Sequence, residues 1–118
     1  MKFLAIKSLF FSAAVMSSFS AFASCDKFAC EGVTNTVVST MKATTNGTFL
    51  TFPLGTDAAL NCALLDGKSA KLETQHPEYK SVHSLLLTAV ASNLSVIIEF
   101  DENSPSCIIS SVSLKVAE

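Results

Sequence analysis

The sequence predicts a small, mainly β domain that contains one helix. Several short segments rich in Val, Ile and Thr alternate apolar with polar residues at a period of two, which is typical of strands with one buried face. Only one segment, residues 78–92, carries apolar residues at helical spacing. Since a chain of 118 residues has room for one domain, we expect these segments to share a single core.

The first 23 residues have the pattern of a secretory signal peptide. Lys2 and Lys7 provide a positively charged start, and residues 9–16 form an apolar stretch that is shorter than the roughly 20 residues needed to span a bilayer. Residues 21–23 (Ala-Phe-Ala) match the small-x-small pattern of a cleavage site. We therefore expect residues 1–23 to be removed, which leaves a single exported domain, residues 24–118, that is secreted or periplasmic.

An alternative is a lipid-anchored protein. Residues 22–25 (Phe-Ala-Ser-Cys) resemble the cleavage box of a lipoprotein, in which Cys25 would carry the lipid. Leu is usual at the first of these positions, where this chain has Phe. Acylation of Cys25 would also leave an odd number of cysteines, and hence a free thiol, in an oxidising compartment. The unanchored exported protein is therefore the favoured prediction.

Composition and sequence motifs argue against nucleic-acid binding, a membrane span and a bound cofactor. The predicted mature chain has six Lys and ten acidic residues, so its net charge is −4, and the sequence has no Arg. Binding to nucleic acid depends on Lys and Arg that neutralise phosphates, so no nucleic-acid partner is expected. No further apolar run is long enough to span a membrane, and no glycine-rich phosphate loop is present, so neither a membrane span nor a cofactor is expected.

The cysteines predict two disulfide bonds. Cys25, Cys30, Cys62 and Cys107 lie in a chain that is expected to enter an oxidising compartment. We favour Cys25–Cys30, which closes a short loop, together with Cys62–Cys107, which joins two strand-like segments. The pairing of Cys30 with Cys107 and of Cys25 with Cys62 remains an alternative at this stage.

Turn signals divide the β-rich part of the chain into five strand segments. Asn46-Gly47 is a hairpin signal because these residues tolerate the positive φ of tight turns, and Pro53 indicates an edge or a bulge. The predicted segments are residues 32–41, 48–54, 60–64 continuing at 69–73, 94–100, and 107–116. The residues expected on their buried faces include Leu50, Phe52, Leu54, Leu60, Cys62, Leu64, Leu94, Val96, Ile98, Phe100, Ile108, Val112, Leu114 and Val116.

The single predicted helix is well delimited. Pro77 suits the first turn of a helix, Glu78 lies at the positive end of the helix dipole, and Asn93 can adopt the left-handed conformation that ends a helix. The resulting order, β-β-β-α-β-β, is that of a five-stranded barrel of the OB type with its helix between strands three and four. Strand three lies beside strand five in such a barrel, so a Cys62–Cys107 bond would join neighbouring strands.

No catalytic or metal site is predicted. His83 and Ser84 are adjacent in the helix and point about 100° apart, so they do not face each other as a base and a nucleophile would. His76 and His83 have no cysteine beside them and the chain lacks paired CxxC motifs, so a zinc site is not expected. The acidic residues Glu99, Asp101 and Glu102 match no calcium loop and are expected to form a solvated turn. Tyr79 and Phe28 are the aromatic residues expected nearest the surface.

Residues 82–100 (VHSLLLTAVASNLSVIIEF) resemble the cell-binding B subunits of bacterial Shiga-like toxins, which also have a Ser-Leu-Leu-Leu helix followed by an alternating strand and a late cysteine. Residues 30–33 (Cys-Glu-Gly-Val) are similar to the opening of that family. The resemblance implies an OB-type barrel, a pairing of Cys30 with Cys107, and a ring of five subunits that binds cell-surface glycans. No residue here matches the family's sugar-binding positions, so no binding residue is carried over.

These observations lead to one functional hypothesis and one alternative. The first is a small exported binding module without enzymatic activity, whose partner is a cell-surface glycan or a protein receptor and which forms a homo-oligomer. The alternative is a periplasmic or secreted structural or inhibitory protein that acts through a protein–protein surface. An enzyme is not expected, because no acid, base and nucleophile can be assembled from the sequence.

Overall fold

The computed structural model describes residues 23–116, which form two antiparallel sheets and one long helix. The first sheet has the strand order β1-β2-β6-β7 and the second the order β3-β4-β5. The mainly β class predicted from the sequence is confirmed. The strands are β1 (Ser24–Asp26), β2 (Ala29–Val33), β3 (Thr40–Thr44), β4 (Gly47–Thr51), β5 (Ser69–Glu73), β6 (Ser95–Phe100) and β7 (Ile109–Leu114); the helices are α1 (Thr34–Val37) and α2 (Tyr79–Ser92), with a 3-10 turn at Thr56–Ala59.

Most of the predicted signal peptide, residues 1–22, lies outside the described residues, so the cleavage site stays a prediction. Ala23 is the first described residue, and β1 begins directly after it at Ser24. Between residues 23 and 116, no helix is both long and apolar enough to cross a membrane.

The two sheets touch but do not close into a barrel. Their backbones meet where the Lys71 N–H donates to the Cys107 carbonyl oxygen at 3.2 Å, next to a parallel bridge between Lys71 and Ile108. The five-stranded OB barrel is therefore not confirmed: the described residues form seven strands in two sheets. Two features account for the difference, namely the unpredicted edge strand β1 and the division of the first predicted strand into β2 and β3.

A one-turn helix interrupts that first predicted strand, residues 32–41. Both the N–H and the hydroxyl of Thr34 donate to the Leu94 carbonyl, at 2.9 and 2.6 Å. The Thr36 hydroxyl donates to the Val33 carbonyl at 2.7 Å. Threonine hydroxyls compete in this way with the backbone bonds of a sheet, and here they turn the chain from the first sheet into the second.

The β3–β4 hairpin forms where Asn46-Gly47 predicts it, but the turn lies one residue earlier than expected. Thr44 pairs with Gly47, so Thr45 and Asn46 are the two loop residues. Gly47 is the first residue of β4 and has a φ of 140°, and a Cβ added to it would lie 2.6 Å from the Leu72 carbonyl oxygen. Glycine is therefore required by the close approach of β5 as well as by the backbone conformation.

Residues 60–64 do not form the regular strand that was predicted, although their alternation is correct. Leu60, Cys62 and Leu64 are buried, but the backbone makes only isolated bridges, such as that between Ala63 and Ser106. The prediction for Leu54 is wrong: its side chain is 96% exposed, because β4 ends at Thr51 before Leu54 is reached.

The helix prediction is confirmed at the C-terminal end, whereas the helix begins one residue later than predicted, so that Pro77 and Glu78 precede its first turn. α2 begins at Tyr79 after Glu78 and ends at Ser92, and Asn93 takes the left-handed conformation with a φ of 50°. The Asn93 side-chain oxygen also accepts the Asn35 N–H at 2.8 Å, which ties the end of α2 to α1. The helix buries Val82, Leu86 and Ala89 against the sheets.

A bulge changes which residues the last strand buries. In β6 the residues Val96, Ile98 and Phe100 are buried as predicted, whereas Leu94 lies outside the strand and is exposed. The β6–β7 register shifts at Glu99 and Phe100, so that the buried residues of β7 are Ile109 and Val112. Ile108 and Leu114 are consequently only partly buried, and Val116 is 87% exposed, contrary to the predicted face.

Two disulfide bonds hold this small core, and they are the pairs favoured from the sequence. Cys25 faces Cys30 across the β1–β2 pair, with a Cα–Cα distance of 4.0 Å. Cys62 is joined to Cys107 over a Cα–Cα distance of 5.0 Å. The alternative in which Cys30 pairs with Cys107 is not the arrangement of the structure. Phe52 and Phe100 pack edge to face between the sheets, with ring centroids 6.1 Å apart.

The two disulfides should contribute unequally to stability. Their sequence separations are 45 and 5 residues. In the chain-entropy model, replacing Cys62 and Cys107 by Ala should lower the free energy of unfolding by about 4 kcal/mol, and replacing Cys25 and Cys30 by about 2 kcal/mol. Urea denaturation of the two double variants measures the difference, and equal losses would contradict the prediction.

Gly47→Ala should destabilise the domain more than Gly67→Ala. Both glycines have positive φ, but only the added Cβ at Gly47 meets backbone, whereas nothing lies within 4 Å of one at Gly67. We expect a loss of about 1–2 kcal/mol for Gly67→Ala, from the left-handed conformation alone, and a larger loss for Gly47→Ala. Thermal denaturation of both variants tests this, and equal losses would show that the clash is relieved without cost.

Candidate functional site

An open groove lies at the tip of the β1–β2 hairpin, and we call it the tip groove. It has a volume of about 680 Å³, which lies within the range of roughly 300–1,000 Å³ typical of small-ligand sites. One wall comes from the hairpin loop and the other from the turn after β6. The groove is lined by Lys27, Phe28, Ala29, Glu99, Phe100, Asp101, Glu102, Asn103 and Ser110.

The hairpin wall is held in place by backbone hydrogen bonds. The Lys27 N–H donates to the Ala59 carbonyl at 3.0 Å, and the Lys27 carbonyl accepts the Asn61 N–H at 2.8 Å. These two bonds hold Lys27 in a left-handed conformation, with a φ of 53°. The Phe28 carbonyl accepts the Phe100 N–H at 2.8 Å, and the Cys25–Cys30 disulfide closes the hairpin behind the loop.

The opposite wall is a short polar turn that is equally well fixed. The Asp101 N–H donates to the Ile108 carbonyl at 2.8 Å, and the Asp101 carboxylate accepts the Asn103 N–H at 2.9 Å. The Glu99 carboxylate accepts the Ser111 hydroxyl at 2.7 Å. The acidic residues that the sequence placed in a solvated turn therefore line one side of a groove.

The charges of the tip groove are not neutralised by ion pairs. Between residues 23 and 116, the single ion pair within 4.0 Å is the one between Lys115 and Glu31. Lys27 therefore faces the groove without a carboxylate partner, against three acidic residues in the same lining. In the described part of the chain, no three His, Cys, Asp or Glu side chains are grouped so that they could hold a metal ion.

This lining combines an aromatic ring with planar polar groups. The half-buried Phe28 ring offers an apolar surface, the carboxylates can accept hydrogen bonds, and the Asn103 amide can both accept and donate them. Such a combination suits a ligand that has many hydroxyl groups and one apolar face. Sequence patterns point to Phe28 and the acidic residues but not to Lys27 and Asn103, since no local signal marks a groove whose walls come from two distant segments.

A second groove, which we call the helix-side groove, lies next to the tip groove. It has a volume of about 420 Å³ and shares Asp101 and Ser110 with the tip groove. The His76 ring forms part of its wall and is fixed on both sides: Nδ1 accepts the Glu78 N–H at 2.8 Å, so Nε2 carries the proton and donates to the Ser110 carbonyl at 2.8 Å. The remaining lining residues are Glu73, Gln75, Pro77, Ile108 and Ile109.

His83 belongs to a partly buried polar network and does not face Ser84. Its Nδ1 lies 2.8 Å from the Thr48 hydroxyl, which also lies 3.0 Å from the Tyr79 hydroxyl. The His83 and Tyr79 rings stack with their centroids 5.7 Å apart. Thr48 is fully buried, so its oxygen is out of reach of a substrate, and the network connects α2 to the second sheet. Thr48 gave no signal in the sequence, because its partners come from a distant helix.

Thr48→Val should destabilise the domain more than Tyr79→Phe. Thr48→Val removes both hydrogen bonds of the buried Thr48 hydroxyl and leaves two half-buried groups, the Tyr79 hydroxyl and His83 Nδ1, without this partner, which should cost about 1–3 kcal/mol. Tyr79→Phe removes one of the two hydrogen bonds and should cost about 0.5–1.5 kcal/mol. The double variant should lose less than the sum of the single losses, because both changes remove one shared hydrogen bond. Denaturation of all three variants provides the measurement, and strict additivity would contradict the network.

No family model matches the chain, and no curated protein or solved structure is significantly similar to it.

Proposed function

We propose that this chain is an exported binding module without enzymatic activity, and that it binds a cell-surface glycan in the tip groove. The observation that supports this most directly is the lining of that groove, where the Phe28 ring lies together with carboxylates and the Asn103 amide. Sugars present hydroxyl groups to planar polar side chains and an apolar face to aromatic rings. The resemblance of residues 82–100 to the B subunits of Shiga-like toxins supports the same class of ligand.

Export is supported by the disulfides and by the signal-peptide pattern. Disulfide bonds persist in oxidising compartments and are rare in the cytosol, and the structure contains two of them. The proposal places the mature protein, residues 24–118, in the periplasm or outside the cell.

Self-association is the second part of the proposal and is supported by the outer surface of α2. No charged residue lies between Lys80 and Glu99, and the side chains of Leu87 and Val90 are 49% and 44% exposed. A second copy of the chain could meet this surface without like-charge repulsion, although each mature chain has a net charge of −4. Native mass spectrometry of the mature protein tests this, and a strict monomer at micromolar concentration would contradict it.

The tip groove should prefer neutral sugars to carboxylated ones. Its lining contains Glu99, Asp101 and Glu102 but only one cation, Lys27, so a carboxylate on the ligand would meet net negative charge. On a glycan array with matched neutral and carboxylated sugars, we expect binding to neutral sugars. For the ligand found, Asn103→Ala should weaken binding about threefold to tenfold, which is the range for one lost hydrogen bond.

Asn46→Ala is the matched control for this experiment. Asn46 is also an exposed amide in a turn, but it lies in the β3–β4 hairpin and does not line the tip groove. Its substitution should leave glycan affinity unchanged. If no glycan binds, or if both variants weaken binding equally, the tip groove is not the site.

A second candidate function is supported by the loop after β4. Leu54, between Pro53 and Gly55, has a 96% exposed side chain, which is the kind of isolated apolar anchor that a protein partner can bury. A structural or inhibitory protein of the cell envelope would use such a surface. Capture of one defined envelope protein by the wild type, lost in Leu54→Ser and retained in Asn103→Ala, would favour this function over glycan binding.

A further inference from the structure

We infer that the ligand of the tip groove extends into the helix-side groove, so that the protein recognises an oligosaccharide of at least two sugar units. This inference rests on the proposed function and adds a second subsite to it. Asp101 and Ser110 line both grooves, so one ligand can pass from the first cavity to the second while staying on the protein surface. Each cavity alone exceeds the lower limit of about 300 Å³ for a small-ligand site.

The helix-side groove has its own polar group for a second sugar. Gln75 is exposed, and its amide has no hydrogen-bond partner among the described residues. Both nitrogen atoms of His76 are already occupied, by the Glu78 N–H and the Ser110 carbonyl, so the imidazole acts as a fixed wall. Gln75 and the Glu73 carboxylate are therefore the polar side chains that remain for a ligand at this end of the site.

The ridge between the two grooves is rigid. Asp101 is fixed through its N–H to the Ile108 carbonyl and through its carboxylate to the Asn103 N–H. The Ser110 hydroxyl donates to the Glu99 carbonyl at 3.1 Å. The spacing of the two subsites is consequently set before the ligand arrives, which lowers the entropic cost of binding both units of an oligosaccharide of matching linkage.

Affinity should therefore depend on ligand length, and Gln75 should matter only for longer ligands. The probes are glucose, galactose and N-acetylglucosamine, each as the monosaccharide and as linear oligomers of two to four units, with affinities measured by calorimetry. For the sugar that binds, we expect a gain of about tenfold or more between one and two units, since a second subsite adds at least one or two hydrogen bonds. Gln75→Ala should remove most of this gain and leave the affinity for the monosaccharide unchanged.

The variants separate a failure of this inference from a failure of the proposed function. Asn103→Ala lies at the tip-groove end and should weaken binding of every length, while Asn46→Ala should weaken none. Binding without dependence on length, or an equal effect of Gln75→Ala on short and long ligands, would overturn the second subsite and leave the first intact. If no probe and no array glycan binds at all, the proposed glycan function itself is wrong.

Discussion

The fold depends on the backbone and side chain of Cys107. The two sheets meet there with the long loop between β4 and β5, residues 52–68. Its carbonyl accepts the Lys71 N–H from β5, its N–H donates to the Ala63 carbonyl, and its sulfur is bonded to Cys62. Cys107 is fully buried beside the first sheet, just before β7. This junction adds a covalent bond and backbone hydrogen bonds to the core packing, such as that of Phe52 against Phe100, which holds the two sheets together. In the chain, the same junction lies between Asp101 and Ser110, the two residues of the ridge between the grooves.

The two grooves are formed by segments whose positions are determined elsewhere in the domain. The hairpin loop is held by residues 59–61, which belong to the loop that Cys62 ties to Cys107. The opposite wall follows the bulge of β6, where the register shifts at Glu99 and Phe100. A surface that is fixed in this way loses little conformational freedom when a ligand binds, so even a few hydrogen bonds can provide useful affinity.

Sequence patterns predicted the features whose causes are local. The end of α2 at Asn93 and the presence of the β3–β4 hairpin both follow from neighbouring residues. The turn at α1 could not be predicted, because Thr34 bonds to Leu94, sixty residues away in the chain. The tip groove could not be predicted either. In the sequence, the acidic residues look like a solvated turn, because nothing indicates that the Lys27 loop lies opposite them. The predicted barrel is not confirmed for a related reason. Closure of a barrel depends on how the two sheets are oriented, which the order of the elements does not determine.

The first sheet joins the two ends of the domain, because β2 of the β1–β2 hairpin pairs with β6, which in turn pairs with β7. The hydrogen bonds of β2 with β6 connect positions more than sixty residues apart, as in the pairing of Val33 with Ser95. Contacts of such long range form slowly, since the entropy of closing a large loop must be lost before any pairing is gained. The first sheet can therefore assemble only after β6 has been synthesised, whereas the local β3–β4 hairpin can form earlier.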